Sequence, residues 1–194
     1  QMSRRVSGQA NLAVGIYTVR LRVEDEDGGA SEWDASLIVQ QQEATIAFDE
    51  RNLVAIKTAS LGGSTGPFSL AVCVDGVVAP VVAMNLVPVT SGNVVPGTAV
   101  APDGSSCLSF AFDRVPVNVY TVQVTVSGAQ FAGLAEDALV IYDAATTSIP
   151  GGGWFYWPGS AQGEYPGDRT TFAYILAVAT KREPARGSLL LIRH

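Results

Sequence analysis

Side chains that could activate a nucleophile are few in this sequence. The only histidine is His194, the last of the 194 residues. A serine or cysteine nucleophile needs a general base held beside it, and terminal side chains are usually mobile. The run Gly151-Gly152-Gly153 precedes an aromatic, strand-like segment instead of opening a helix, so it matches neither phosphate-binding glycine motif. We therefore expect no enzymatic activity.

Four consecutive acidic residues form the densest group of possible metal ligands. Calcium takes about six to eight oxygens from carboxylates and loop carbonyls, so Glu24, Asp25 and Asp27 are calcium candidates. The interpretation that we favour is a solvated hairpin tip, because Gly28 and Gly29 follow directly and supply the positive φ of a turn. We expect no cofactor and no other metal, with calcium left open.

An aromatic run, Trp154 to Trp157, is the best candidate for a binding surface. In a strand, alternate side chains point to opposite faces, so Trp154 shares a face with Tyr156, and Phe155 with Trp157. Exposed rings can stack on sugars or anchor a protein interface. Our candidate binding residues are Trp154, Tyr156, Trp157 and the nearby Tyr165. The alternative, which we favour, buries both pairs between modules.

These candidates must be positioned by β-strands, and a repeat indicates their arrangement. Gly15–Val23 reads GIYTVRLRV, and Asn118–Val126 reads NVYTVQVTV. Each copy contains a turn residue, then Tyr-Thr-Val, and then strictly alternating apolar and polar residues. A polar turn and a second apolar run follow each copy. The copies lie about 103 residues apart, which is the length of one β-sandwich domain. Tyr17 and Tyr120 each start a penultimate strand, where we predict tyrosine corners instead of solvated hydroxyls.

Short apolar runs separated by turn residues predict the remaining strands. The predicted strands are Val14–Val23, Ala35–Gln40, Ala44–Phe48, Leu53–Ala59, Phe68–Val74, Val77–Val87, Ala99–Val100, Cys107–Asp113, Tyr120–Val126, Ala138–Tyr142, Gly167–Val178 and Ser188–Ile192. Asp75-Gly76 is the strongest hairpin signal. We predict an all-β fold, an Ig-like β-sandwich with additional β-hairpin segments at both ends, divided at 1–43, 44–145 and 146–194.

The N-terminal segment resembles the last two strands of a PKD domain. The shared pattern is Gly-x-Tyr-Thr-Val-x-Leu-x-Val, acidic residues, Asp-Gly-Gly, a polar stretch and a final β run, over about residues 13–40. PKD domains are Ig-like modules of exported and cell-surface proteins. The upstream strands of that family are absent, so the resemblance implies that the sequence starts inside a domain, or that another part or another chain completes the sheet.

The segment from residue 146 onward resembles a small β module with a Gly-Gly-Gly-Trp opening that follows Ig-like or PKD repeats in bacterial exported proteins. Its strands could form an incomplete module or pair with the N-terminal hairpin. Both resemblances imply a secreted or cell-surface bacterial protein. In an oxidising compartment Cys73 and Cys107, which lie in the same predicted domain, favour a disulfide worth roughly 3–4 kcal/mol. Two buried free thiols are the alternative.

Composition excludes several classes of protein. The chain is 47% apolar and only 15% charged, with a net charge of -6, so it is not disordered by composition. Its basic residues are scattered, which does not suit a nucleic-acid surface. The longest apolar stretch, 68–89, contains Asp75, Pro80 and Pro88, so we expect two strands and no membrane insertion.

Two functions from different classes fit these observations. The first is a non-catalytic structural or adhesive segment of an exported bacterial protein, acting as a spacer, display unit or assembly subunit. Its partners would be other domains or copies of the same protein. The alternative is a carbohydrate-binding module of a secreted hydrolase, in which the aromatic run would contact a cell-surface polysaccharide.

Overall fold

A computed structural model describes residues 12–59, 63–77, 80–100, 107–146, 148–157, 167–177, 184 and 186–194. These residues form strands and no helix, which confirms the all-β fold class. The same residues accordingly include no helix able to cross a membrane. The strands are β1 Gly15–Glu24, β2 Ala30–Val39, β3 Gln42–Glu43, β4 Thr45–Phe48, β5 Ala55–Lys57, β6 Phe68–Asp75, β7 Val81–Pro88, β8 Val95–Pro96, β9 Thr98–Val100, β10 Cys107–Phe112, β11 Asn118–Ser127, β12 Phe131–Tyr142, β13 Ser148–Tyr156, β14 Arg169–Ala177 and β15 Arg186–Arg193.

Strands β3 to β12 build two sheets that pack as a sandwich. One sheet has the order β4-β6-β10-β9, and the other has the order β3-β12-β11-β7-β8, with β5 joining β12 in parallel. In Ig nomenclature β4-β6-β10-β9 is the A-B-E-D sheet, and β12-β11-β7-β8 is the G-F-C-C′ sheet. Strand β5, which pairs with β12, is then an A′ strand on G. The strand order therefore makes this part of the chain an Ig-like β-sandwich.

The core lies between the two sheets and follows from alternation in β11. Tyr120, Val122, Val124 and Val126 are all buried and pack in one cluster with side chains of the four-stranded sheet. Burying a valine or leucine side chain contributes about 1.5–3 kcal/mol. Val119 points the other way, into a second cluster that joins the sandwich to the C-terminal strands.

The N-terminal hairpin forms a two-stranded sheet of its own. Strands β1 and β2 pair antiparallel from Gly15 opposite Val39 to Glu24 opposite Ala30. Gly28 takes φ +84° in the connecting turn, as the sequence predicted. No residue of either strand is buried. A hydrogen bond of 2.6 Å from the Gln130 amide to the carbonyl of Leu12 connects the start of this segment to the sandwich.

The C-terminal strands form a separate three-stranded sheet, β13-β14-β15. Its inner face packs on the sandwich, where Ala173, Ile175 and Leu190 meet Val119 and Val140. Within the described residues no strand of this sheet pairs with the N-terminal hairpin, so the alternative in which the two terminal segments pair is wrong.

The three glycines that open β13 fit this packing. A Cβ on Gly151 would lie 2.2 Å from the Tyr174 ring, and one on Gly152 would lie 3.2 Å from the Val54 carbonyl of the sandwich. The ring of Phe172 lies similarly close to Gly153. Alternate glycines thus admit aromatic rings on one face of the sheet and close approach of the sandwich on the other.

The strongest hairpin signal was misleading. Gly76 does take a positive φ of 79°, but β6 and β7 lie in different sheets. Asp75-Gly76 therefore begins a connection across the sandwich instead of a hairpin. A turn dipeptide fixes local φ, whereas the partner of each strand depends on the whole core.

Several strand bounds also differ from the prediction. β2 begins at Ala30 instead of Ala35, and β12 begins at Phe131 instead of Ala138. Both extensions contain polar residues of low β-propensity. Cross-strand hydrogen bonds keep these residues in the sheet despite that propensity. The polar stretch 41–43, where no strand was predicted, contributes β3, which pairs in parallel with the start of β12.

Both tyrosine corners are confirmed. The Tyr120 hydroxyl donates to the Pro116 carbonyl at 3.0 Å, and the Tyr17 hydroxyl donates to the Ala13 carbonyl at 2.8 Å. The surroundings differ, since Tyr120 is 2% exposed, and burial raises its pKa. The two corners therefore make the same type of hydrogen bond in different environments.

The predicted disulfide between Cys73 and Cys107 is also confirmed. The two cysteines are directly opposite each other on β6 and β10, with Cα atoms 4.1 Å apart. The bond therefore links two strands of one sheet, whereas the usual Ig disulfide joins the two sheets through the F strand. Val122, two residues after the corner tyrosine, fills that F-strand position with an apolar side chain.

Candidate functional site

The N-terminal hairpin presents an apolar face that the rest of the described chain does not cover. In the register of β1 and β2, Tyr17 is opposite Leu37, and Leu21 is opposite Trp33. Alternation places Val19 on the same face. Trp33 is 67% exposed, and Leu21 is 47% exposed. We call this surface the hairpin face, and its members are Tyr17, Val19, Leu21, Val23, Trp33 and Leu37.

The opposite side of the same hairpin is mainly polar. Arg20 makes a two-point contact with the Asp34 carboxylate, at 2.8 and 3.0 Å. This hydrogen bonding holds the pKa of Asp34 below its usual value and raises that of Arg20. Arg22 pairs with Glu24 at 2.6 Å. The hairpin is therefore amphipathic, and the side chains that would normally enter a core are those left uncovered.

A second apolar surface, also left open by the residues that the structure describes, lies on the side of β13-β14-β15 that points away from the sandwich. Four rings form a row along it, in the order Trp157, Phe155, Phe172 and Tyr174, with neighbouring centroids 5.4 to 6.3 Å apart. Aliphatic side chains flank the row, and all of them are more than two-fifths exposed. We call this surface the outer face, and its members are Ile149, Phe155, Trp157, Phe172, Tyr174, Leu176, Leu189 and Leu191.

All four side chains of the aromatic run are exposed, so the favoured interpretation that both pairs are buried between modules is wrong. Trp154 and Tyr156 are 55% and 59% exposed. Their rings meet edge to face, 5.4 Å apart at 68°, and the Arg169 guanidinium lies 5.4 Å from the Trp154 ring. This pair lies on the inner face but near the end of its strand, where the packed sandwich cluster does not cover it.

Trp157 is held more tightly than its neighbours. Its indole nitrogen donates to the Thr170 hydroxyl at 2.8 Å, and its backbone pairs with Gly167 and Asp168. Arg193 lies over the ring, 5.6 Å from the centroid. The structure therefore divides the predicted binding residues between two faces of one sheet. The fourth predicted residue, Tyr165, lies outside the described residues.

The acidic candidates for calcium lie at the exposed tip of the N-terminal hairpin. The carboxylate of Asp25 accepts from the Gly29 backbone, and Glu24 pairs with Arg22. Across the described residues, no three His, Cys, Asp or Glu side chains are grouped so as to hold a metal ion. The internal partners of Asp25 and Glu24 fit the solvated hairpin tip that we favoured for this run.

The single histidine is packed and not free at the chain end, contrary to the expectation from its position. The ring Nε2 of His194 lies 2.8 Å from the Thr171 hydroxyl and 4.0 Å from an Asp137 carboxylate oxygen. A catalytic triad uses two different ring nitrogens for the nucleophile and the acid, but here both contacts involve Nε2. Thr171 is also fully buried. This group therefore links β12 to the C-terminal sheet instead of presenting a nucleophile.

Sequence reasoning missed the residues that most enlarge the two apolar faces. Trp33 lies in the polar stretch before the predicted strand Ala35–Gln40, yet it points outward from β2 beside Leu21. Leu189 and Leu191 were read as ordinary strand residues, and both are 57% exposed. The alternation of β15 was the available signal, since it places Leu189 and Leu191 on one face and Leu190 and Ile192 on the other.

Comparison with known proteins leaves the family open. No protein-family model matches the chain, and no curated protein matches it. Among solved structures, the chain is similar to one described as a marsupial T cell receptor, with 10% identity and a TM-score of 0.36, over 76% of this chain and 88% of that chain. The Ig-like assignment rests on the strand order of the two sheets.

Proposed function

We propose that this chain is a non-catalytic structural segment of an exported bacterial protein, acting as a spacer, display unit or assembly subunit. The observation that carries the proposal is the presence of two apolar sheet faces that the described residues leave uncovered. Contiguous exposed apolar surface of this kind marks protein–protein contacts. Its partners would be other domains or further copies of the same protein. The Cys73–Cys107 disulfide favours a compartment outside the reducing cytoplasm.

The PKD resemblance of residues 13–40 belongs to this proposal. Its support is the Tyr-Thr-Val motif followed by a regular hairpin, with Tyr17 bonded upstream as in an Ig-type corner. On this view the hairpin corresponds to the last two strands of a sandwich. The Gly-Gly-Gly-Trp opening of the C-terminal sheet is proposed to mark a module that follows such repeats.

The experiment that tests this function is localisation in the source bacterium. Intact cells and the culture medium are probed with an antibody against the chain, before and after treatment with an external protease. We expect signal on the surface or in the medium, and loss of the surface signal after proteolysis. A cytoplasmic protein that the protease reaches only after lysis would overturn the proposal.

The exposure of Trp154 and Tyr156 favours a second candidate, carbohydrate binding. Both rings keep more than half of their surface accessible, with Arg169 beside them. Their edge-to-face arrangement offers one ring at a time to a sugar, instead of a flat platform. A glycan array with the wild type, Trp154→Ala and Trp157→Ala tests this candidate. Binding lost in Trp154→Ala and kept in Trp157→Ala would favour it, and an array without signal excludes it.

A further inference from the structure

We propose that copies of this chain associate head to tail, with the hairpin face of one copy packed on the outer face of the next. The inference rests on the proposed structural function and names its partner, a second copy of the chain. Both surfaces are sheet faces with strands of similar length, ten residues in β1 and β2 and eight or nine in β13 to β15. Their contact would form a sheet-on-sheet layer like that of a sandwich.

The sandwich contains a covered counterpart of the hairpin face. The hairpin of β11 and β12 has the same motif in equivalent register, and the face that contains Tyr120 and Val124 is covered by the four-stranded sheet. The corresponding face of β1 and β2, with Tyr17 and Leu21, has no such cover in the described chain. An isolated two-stranded hairpin is at best marginally stable in water, so a covering sheet would stabilise it.

The outer face is large enough to supply that cover. Ile149, Phe155, Trp157, Leu176, Leu189 and Leu191 are each 36–57% exposed. Aromatic side chains bury about 150–250 Å² when fully covered, and counting the four smaller aliphatic side chains at about the lower end of that range leaves roughly 500 Å² of apolar surface open. A standard interface buries about 800 Å² on each partner, so the outer face and its rim are of the right size for one specific contact.

Charge favours a contact between unlike faces over self-pairing of either face. Residues 15–39 of the hairpin contain two arginines and six acidic residues, a net charge of -4, and 146–194 contain five basic and three acidic residues, a net charge of +2. Two acidic hairpins brought together would repel, as would two basic sheets. Opposite net charges on the two segments therefore favour head-to-tail pairing over self-pairing of either face.

Such a contact joins two different surfaces of the same chain. Each copy that docks its hairpin on a neighbour still offers its own outer face to a third copy. A contact of this kind makes open chains of subunits unless the rotation happens to close a ring. This distinguishes it from a symmetric dimer, which uses up its interface in one step.

Sedimentation velocity with two variants tests the pairing. Trp33→Lys places a charge in the hairpin face, and Leu191→Lys places one in the outer face. We expect the wild type to sediment as species that grow with concentration, and each variant alone to sediment as a monomer. An equimolar mixture of the variants should give a dimer and nothing larger, because each retains one intact face and the two altered faces repel each other.

Two matched controls place the same charge outside the proposed contact. They are Ile38→Lys, on the opposite side of the hairpin, and Val81→Lys, on the sandwich, and both residues are highly exposed. Both variants should assemble like the wild type. Circular dichroism checks that every variant is folded, and Leu21→Lys or Leu189→Lys replaces one that is not. A wild type that stays monomeric, or a single variant that still dimerises, would overturn the head-to-tail contact. Neither result affects the surface localisation tested above, so failure of the inference is distinguishable from failure of the function.

Discussion

The two hairpins β1–β2 and β11–β12 share a motif, a register and a tyrosine corner, and they differ in what lies against them. Leu21 and Val124 occupy equivalent positions 103 residues apart, and they are 47% and 0% exposed. The same alternation therefore supports a core in one place and an open surface in the other. Local sequence decides which side chains share a face, and the packing partner decides whether that face is buried.

The largest expected effect comes from placing a charge at each of these equivalent positions. Val124→Asp leaves an uncompensated charge in the sandwich core and should lower the free energy of unfolding by about 3–5 kcal/mol. Leu21→Asp places the same carboxylate on an exposed face and should change it by less than about 0.5 kcal/mol. Urea unfolding followed by circular dichroism on dilute protein measures both, and equal losses would mean that the two environments do not differ.

Removing the disulfide should act on the sandwich and leave the N-terminal hairpin unchanged. The bond spans 34 residues, so the double variant Cys73→Ser, Cys107→Ser should lose about 3–4 kcal/mol of sandwich stability. Urea unfolding with and without a reducing agent measures the loss. The reductant should destabilise the wild type and have no effect on the double variant, and an effect on both would assign the loss to another cause.

The two corners allow a smaller and more exact comparison. Tyr120→Phe removes a buried hydrogen bond to Pro116 and should cost about 1 kcal/mol, whereas Tyr17→Phe, on the uncovered hairpin, should cost less than about 0.5 kcal/mol. Burial raises the pKa of Tyr120, so the unfolded chain ionises first as pH rises. The wild type should therefore lose stability above about pH 10, and Tyr120→Phe should lose less of it.

Unfolding midpoints are measured for both variants at neutral and at high pH. They separate the contribution of the hydrogen bond to stability from the contribution of Tyr120 ionisation. If Tyr17→Phe cost as much as Tyr120→Phe, the hairpin corner would be as well shielded from water as the corner in the sandwich. That outcome would contradict the open environment described for β1 and β2.

The smallest effect concerns one cross-strand pair that differs between the hairpins. Arg20 faces Asp34 in the first, and Gln123 donates to Glu136 at 3.1 Å at the equivalent place in the second. Arg20→Gln should raise the pKa of Asp34 towards its ordinary value, because it removes the hydrogen bond that lowers it. The Arg20 contact stabilises the hairpin at neutral pH, and that stabilisation is lost as pH falls through the pKa of Asp34.

An NMR titration of the Asp34 carboxylate measures this shift, with Arg22→Gln as the matched control. Arg22 pairs with Glu24 instead, so the control should leave the pKa of Asp34 in place. An unchanged value in Arg20→Gln would contradict the assignment of the shift to Arg20.

Features determined by neighbouring residues were predictable from the sequence. The alternation of β1 and β11, the upstream bond of Tyr17 and Tyr120 and the pairing of Cys73 with Cys107 all follow from short-range pattern or from placement within one domain. These patterns therefore predict the sandwich, its corners and its disulfide.

What the sequence did not reveal depends on contacts between distant segments. Asp75-Gly76 has a hairpin composition, but the two strands beside it find better partners in opposite sheets. The exposure of Trp154 and the outward position of Trp33 depend on where the sandwich ends, which no local period encodes. The candidate surfaces were thus predictable as alternating faces, but not as uncovered ones.

The parallel pairing of β5 with β12 bears on how the sandwich responds to a pulling force. The chain enters the sandwich through the strands before β5 and leaves it at the end of β12, so tension along the chain pulls these two parallel strands in opposite directions. Their hydrogen bonds are then loaded together in shear instead of opening one after another. If the sandwich unfolds under force, the bond between Cys73 and Cys107, at a sequence separation of 34, prevents extension of the segment between them, which is about 110 Å of chain.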